Sequence, residues 1–164
     1  MLEVIRNRRS IRKYTDQIVS DENIKEILEA AMMAPTARNK QEWRFLVVTN
    51  PIKLKKIAQV SPNLKMADGC AFSIIVMADK IVNPDFERVD AGAAIENMLL
   101  QAYSMGIGSC WCALDAHQER INGIIDIFPE IKDYMIIASV QFGYPNEERT
   151  VENRYDEKKV MYSK

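Results

Sequence analysis

Segments in which apolar residues recur at helical spacing are followed by short, continuous apolar runs. The first pattern predicts helices and the second predicts buried strands. Helices are predicted at 21–33, 51–59, 90–105 and 117–127, and strands at 44–49, 72–77, 109–113 and 135–142. Ser20 is a suitable N-cap for the first helix and Pro35 follows its end, while Asn50 and Pro51 suit the cap and first turn of the second. Gly106 is the natural residue to follow the third helix.

Two segments depart from this alternation. The helix at 90–105 is apolar nearly all round, so we expect it to be either a central core helix or a dimer-core helix. Residues 143–164 contain apolar side chains without periodicity, and we expect them to lie on another surface rather than to be disordered.

Composition then narrows the class of protein. The chain has 164 residues, 48% of them hydrophobic and 27% charged, which is typical of one ordinary globular domain. The sequence has no apolar run of membrane-spanning length and no signal-peptide pattern in its first ten residues, so the cytoplasm is the expected location and no membrane partner is expected.

The cysteine and histidine residues of the sequence give little support for a metal site or a catalytic nucleophile. Three cysteines without a CxxC pair and a single histidine, His117, make a metal site improbable and provide only one possible base for a hydrolase. Cys110 and Cys112 would share one face of a strand, where reduced core thiols are favoured over a catalytic role. Redox chemistry would therefore require a cofactor.

Positive charge is concentrated near the N-terminus. Residues 1–65 hold 13 Lys and Arg against 7 Asp and Glu, and residues 66–164 hold 9 against 16. The segment Arg8-Arg9-Ser10-Ile11-Arg12 combines guanidinium groups with a hydroxyl, which suits one phosphate; a solvated basic turn is the alternative. Nucleic-acid binding is disfavoured, because the sequence pI is 5.9 and only Tyr14 offers a stacking surface beside this segment.

Two further segments have the chemistry of a ligand site. The polar loop 34–43 carries amides at Asn39 and Gln41, which suit the edge of a heteroaromatic ring, although a turn anchored by a buried Trp43 is the alternative. Gly106-Ile107-Gly108-Ser109 permits close approach of a flat ligand. It follows a helix instead of a strand, which disfavours a Rossmann dinucleotide site.

Together, and in this order, the three segments resemble the FMN-dependent nitroreductase family. Its pattern has Arg-Arg-Ser-x-Arg, then Ala-Pro-Ser-x-x-Asn-x-Gln-Pro-Trp, then Gly-x-Gly-x-x-Trp, and this chain departs from it with Thr36, Ala37 and Glu42. The resemblance implies an α+β fold with a mixed, mainly antiparallel sheet flanked by helices. It also implies an intertwined homodimer of single domains, residues 1–164, in which the tail 143–164 reaches across the partner subunit.

The resemblance also implies a cofactor site for FMN, shared between the two subunits. Arg8, Arg9, Ser10 and Arg154 would hold the phosphate, while Arg12 and Lys65 would face the pyrimidine edge of the flavin and act as the catalytic cations. The second subunit would contribute Pro35, Thr36, Ala37 and Asn39, and the flavin ring would lie along Gly106, Ile107, Gly108 and Ser109.

The implied activity is that of an NAD(P)H-dependent oxidoreductase. NADH or NADPH would supply a hydride, and nitroaromatics, quinones or a related electron-poor acceptor would be reduced in a ping-pong cycle. The alternative is a flavin-binding protein without turnover, serving as a flavin store or a redox sensor.

Overall fold

A computed structural model describes residues 1–82 and 84–163 and shows an antiparallel sheet between two layers of helices. The helices are α1 (Glu3–Asn7), α2 (Asp21–Met32), α3 (Pro51–Val60), α4 (Glu87–Ser104) and α5 (Gln118–Ile127). The strands are β1 (Trp43–Val48), β2 (Phe72–Ala78), β3 (Gly108–Ala113) and β4 (Met135–Gly143), in the spatial order β1-β2-β4-β3 with every neighbouring pair antiparallel. The expected α+β fold is therefore confirmed.

The predicted end signals form the expected caps. Ser20 Oγ accepts a hydrogen bond from the backbone N–H of Asn23 at 3.2 Å, and Asn50 Oδ1 accepts from Ile52 N–H at 2.9 Å. Gly106 has a φ of +73°, a backbone conformation that residues other than glycine rarely adopt. It ends the turn after α4. The sequence did not predict α1, because five residues show no complete period.

The sheet has a core on each of its faces. On one face, Ile27 of α2 and Ile95 of α4 pack against alternate residues of β2 and β4, including Phe72 and Phe142, whose rings stack with centroids 4.7 Å apart. On the other face, α3 and α5 pack against the intervening residues. This alternation follows from the two-residue period of a strand.

Helix α4 is a core helix of the single chain. Its buried stripe faces the sheet and consists of Asp90, Ala91, Ala94, Ile95, Met98, Leu99 and Ala102. The opposite side is half-buried, partly because α2 packs there and Asn97 Nδ2 donates to Ala30 O at 3.0 Å. In the described residues, no helix is both long and apolar enough to span a membrane.

The N-terminal segment is fixed beside the edge strand β3. Ser10 and Ser109 form an isolated parallel bridge, in which Ile11 N–H donates to Ser109 O at 2.9 Å. A few residues later Asn146 N–H donates to Lys13 O at 2.9 Å. These bonds place the basic segment 8–12 beside the residues that follow β4.

Gly108 has a packing role in addition to the one expected. A Cβ atom at this position would lie 2.9 Å from Cβ of Ile11, so the glycine allows the N-terminal segment to pack against β3. Its expected place beside a flat ligand remains a prediction.

The tail leaves the body of the chain after Thr150. Thr150 O accepts a hydrogen bond from Arg9 Nε at 3.3 Å, and residues 151–163 are all exposed. Within the described tail, the hydrogen bonds and ion pairs beyond Thr150 join tail residues to one another.

Candidate functional site

Both ends of the chain contribute to a strongly basic cavity of about 350 Å³. We call it the basic cavity, and it is lined by Arg9, Ser10, Arg12, Arg149, Thr150, Glu152 and Arg154. Among these described residues are four arginines, two residues with hydroxyl groups, and a single carboxylate, Glu152. This donor set suits a small dianion such as a phosphate monoester.

Glu147 connects the two segments that form the basic cavity. Its Oε1 accepts hydrogen bonds from the backbone N–H groups of Arg12 and Lys13, at 2.5 and 3.2 Å, and its Oε2 lies 2.7 Å from Arg149 Nη2. Burial opposes ionisation of this carboxyl, but the N–H of Arg12, the Arg149 guanidinium and the N–H of Lys13 together lower its pKa below the usual range.

Arg9 is held mainly by the backbone. Its Nη1 donates to the carbonyl oxygens of Arg6 and Arg8, at 2.9 and 2.6 Å, and its Nε donates to that of Thr150. These bonds fix the guanidinium at the edge of the basic cavity and tie it to the start of the tail.

A second cavity, of about 460 Å³, lies along the edge strand. We call it the strand cavity, and it is lined by Arg12, Pro62, Asn63, Met66, Cys110, Trp111, Cys112, Ala113 and Arg120. Arg12 lines both cavities, so they adjoin at this residue. The lining contains two cations and no carboxylate, and its volume is within the range of small-molecule sites.

Cys110 and Cys112 lie on the same face of β3 in the strand cavity. Cys112 Sγ is 3.1 Å from Asn63 O, and it also interacts with the Cys110 thiol. The hydrogen bond from Cys112, supported by the charge of Arg12, outweighs burial and lowers the pKa of Cys110 to about 7. The same interaction, together with burial, raises the pKa of Cys112.

Several predicted site residues line a third cavity instead. Its volume is about 600 Å³, and its lining includes Arg8, Arg9, Ser109 and the segment 106–108. Arg8 Nε lies 3.5 Å from Glu96 Oε1, and Arg8 does not line the basic cavity with Arg154. Arg9 lines both this cavity and the basic cavity, and the Ser10–Ser109 bridge holds the 106–109 segment beside the N-terminal segment. The expected grouping of these residues around one cofactor remains a prediction.

Lys65 and the loop before β1 lie outside both the basic cavity and the strand cavity. Lys65 is exposed on the 3₁₀ helix Pro62–Ala67, although Asn63 and Met66 of the same helix line the strand cavity. Pro35, Thr36, Ala37 and Asn39 line neither cavity. Their expected contribution to the partner's site remains a prediction.

The loop before β1 is tied to the body of its own chain. Ala37 N–H donates to Asp90 Oδ2 at 2.8 Å, and Gln41 Nε2 donates to Asn39 Oδ1 at 2.9 Å. Trp43 is buried, as the anchored-turn alternative predicted, and the adjacent Glu42 is buried as well.

The Nitroreductase family model matches residues 5–67 and 62–144. This chain belongs to the nitroreductase family. The family resemblance expected from the three motifs is thereby confirmed.

Relatives of similar length support this membership. A protein of Archaeoglobus fulgidus named "Putative NADH dehydrogenase/NAD(P)H nitroreductase" is 37% identical over 151 residues, which cover 90% of this nitroreductase and 87% of the relative. An FMN-dependent nitroreductase of Clostridium difficile R20291 has a TM-score of 0.93 and 30% identity, covering 100% and 99% of the two chains. A Desulfovibrio desulfuricans nitroreductase solved in complex with FMN has a TM-score of 0.84 and 30% identity over 99% and 95%.

Three residues at or beside the candidate site had no sequence signal. Arg149 and Glu147 belong to the aperiodic tail, and Arg120 belongs to a helix that was predicted only as a helix. Glu147 reaches the N-terminal segment through contacts distant in sequence, and Arg149 pairs with Glu147. In the described residues, no group of three or more His, Cys, Asp or Glu side chains could hold a metal ion.

Proposed function

We propose that this nitroreductase is an FMN-dependent oxidoreductase that takes a hydride from NADH or NADPH and reduces nitroaromatics, quinones or a related electron-poor acceptor. The observation that carries the proposal is the position of Arg12 between a phosphate-sized basic cavity and a longer cavity along an edge strand. This arrangement matches a ligand with an anionic end and a flat polar ring. The names of the relatives support the same cofactor and donor.

The residues present fit FMN. Arg9, Ser10, Arg149 and Arg154 would hold its phosphate in the basic cavity, while the backbone of 110–113 and the side chains of Asn63 and Met66 would border its ring in the strand cavity. Bound FMN would supply the two-electron hydride chemistry that these side chains lack.

Arg12 has the main electrostatic role in this proposal. Its guanidinium places a fixed positive charge where the two cavities meet, at the expected pyrimidine edge, and it would stabilise negative charge that develops there during reduction. Arg120 adds a second cation at the same cavity. Lys65 would need a different side-chain conformation or the partner subunit to join them.

The nitroreductase acts as a cytoplasmic homodimer in this proposal. The partner subunit supplies its Pro35–Asn39 loop, and Arg8 with the 106–109 segment completes the cofactor surroundings from the adjoining cavity. Donor and acceptor occupy the one open face in turn, because the part of the chain that the structure describes contains one antiparallel sheet and no separate dinucleotide-binding unit. A ping-pong cycle follows.

Titration of flavin-free protein with FMN, followed by anaerobic addition of NADH or NADPH, tests the proposal. We expect tight FMN binding, loss of the visible flavin absorbance, and its return on addition of a quinone or a nitroaromatic. Parallel double-reciprocal lines should appear at several acceptor concentrations. Bound FMN that neither nicotinamide reduces would instead support a flavin store or sensor, and intersecting lines would contradict the shared face.

A further inference from the structure

Cys110 and Cys112 form a thiol pair that the proposed oxidoreductase chemistry does not use. They occupy alternate positions of β3, and both line the strand cavity. Two residues along a strand span about 7 Å between Cα atoms, at the upper limit for a disulfide. A direct S–S bond is therefore disfavoured, whereas an atom that bridges two sulfurs suits this spacing.

The surroundings of the pair favour nucleophilic sulfur. Arg12 and Arg120 line the same cavity, and their positive charge stabilises thiolates. Cys112 Sγ donates to Asn63 O at 3.1 Å, and an interaction with Cys112 stabilises the Cys110 thiolate. The lowered pKa of Cys110 favours that thiolate.

Tyr14 and two residues of β4 are further neighbours of the pair. The Tyr14 hydroxyl donates to Ile11 O at 2.6 Å, and burial, together with the charges of the nearby thiols, raises the pKa of Tyr14. Gln141 and Ser139 of β4 pair in register with Cys110 and Cys112, respectively. Both cysteines line the strand cavity, so a ligand in that cavity would border the pair.

We propose that Cys110 and Cys112 form a dithiol site for soft trivalent arsenicals, and that an arsenical bound there and FMN exclude each other from the strand cavity. The mutual exclusion rests on the proposed function, whereas the dithiol site does not. For hydrated phenylarsine oxide, two As–S bonds form and two As–O bonds break. The two thiol protons leave with the oxygens as two molecules of water, and no atom changes oxidation state.

Cys70 provides the matched control. It is also buried, but it lines a different cavity, and its Sγ lies 3.4 Å from Ala67 O. Burial raises the pKa of Cys70 to about 12, so it is a poor nucleophile at neutral pH.

The test is reaction of the full-length, flavin-free protein with phenylarsine oxide, followed by intact-mass analysis and titration of the remaining thiols. We expect one phenylarsenic group per chain and loss of two of the three thiols. Excess monothiol should leave this adduct intact, whereas a dithiol should remove it. Cys110→Ser and Cys112→Ser should each abolish the monothiol-resistant adduct, and Cys70→Ser should retain it.

Wild-type protein provides an independent measurement if a serine variant does not fold. After arsenical treatment, peptide mapping with iodoacetamide should show Cys110 and Cys112 protected. A monothiol-resistant adduct in Cys110→Ser or Cys112→Ser, or protection of Cys70 in place of either, would overturn the dithiol site.

A parallel reaction tests mutual exclusion. With FMN at ten times its measured Kd, adduct formation should slow about tenfold, because about one site in eleven is then free. An unchanged rate at confirmed FMN saturation would overturn the exclusion and leave the dithiol site standing. If FMN does not bind at all, the proposed function fails, while the flavin-free reaction still decides the dithiol site.

Discussion

At the scale of single residues, Glu147 joins the two segments that form the basic cavity. One carboxylate oxygen holds two backbone N–H groups of the N-terminal segment, and the other pairs with Arg149. We predict that Glu147→Gln lowers the free energy of unfolding by about 1.5 kcal/mol at neutral pH, a value at the lower end for hydrogen bonds to a charged group. Urea denaturation measures this loss.

The pH dependence of that loss follows from the lowered pKa of Glu147 in the folded protein. Its stabilising effect is complete above the ordinary carboxyl value of 4.5 and disappears as the pH falls through the folded-state pKa. The difference between wild type and Glu147→Gln should therefore shrink on acidification. Glu148→Gln, at the exposed neighbouring position, is the control, and an equal loss in both variants would contradict the role of Glu147.

Arg12 carries the chemical prediction at this scale. Arg12→Ala should slow reduction of bound FMN about tenfold to a hundredfold, with a smaller change in nicotinamide affinity, because its charge acts on negative charge that develops during the reaction. Stopped-flow rates at several NADH or NADPH concentrations separate the two effects. Lys13→Ala removes an adjacent charge that lines neither cavity. A defect confined to nicotinamide affinity would contradict the prediction.

At the scale of elements, contact between the N-terminal segment and β3 depends on Gly108. Its Cβ position lies 2.9 Å from Ile11 Cβ, so Gly108→Ala should force the two segments apart and destabilise the fold by about 1–3 kcal/mol. Gly92→Ala is the matched control. It lies inside α4 with its nearest contact 3.8 Å away, at Trp111, and should stabilise by about 0.5–1 kcal/mol. Chemical denaturation of both variants should give changes of opposite sign.

The same scale shows what the sequence could predict. The sequence predicts α2 and β2 nearly to their ends, because buried positions repeat along each element. For α2, Ser20 and Pro35 also mark the two ends of the helix. Helix α4 starts at Glu87, three residues before the predicted position, since its first turn has few apolar residues. Glu147 and Arg149 carry no local pattern, because contacts distant in sequence fix their place.

At the scale of the whole molecule, the two termini build the basic cavity together, while the tail beyond it lies exposed. Val151, Tyr155, Val160, Met161 and Tyr162 are all exposed in the single chain. Exposed apolar residues on an aperiodic segment are typical of a surface that a partner covers. The Pro35–Asn39 loop, which lines neither the basic cavity nor the strand cavity, also suits a role in a second subunit.

The last prediction concerns this assembly. Light scattering should give about 38 kDa, twice the chain mass of 18.8 kDa, with an interface above the roughly 2,000 Å² of obligate dimers. Replacing Tyr155, Val160 and Met161 by serine should shift the mass toward the monomer and leave the circular dichroism unchanged, because these exposed side chains add nothing to the core of their own chain.

The serine variant keeps Arg154, so it separates assembly from phosphate binding. Arg154→Ala alone should weaken FMN about tenfold to a hundredfold, as expected for loss of a charge-assisted hydrogen bond, and should leave the dimer intact. Lys158→Ala removes a tail charge outside the basic cavity and should change neither property. A wild-type protein that stays a folded, flavin-loaded monomer at micromolar concentration would contradict the intertwined dimer, since the exposed tail would then need no partner.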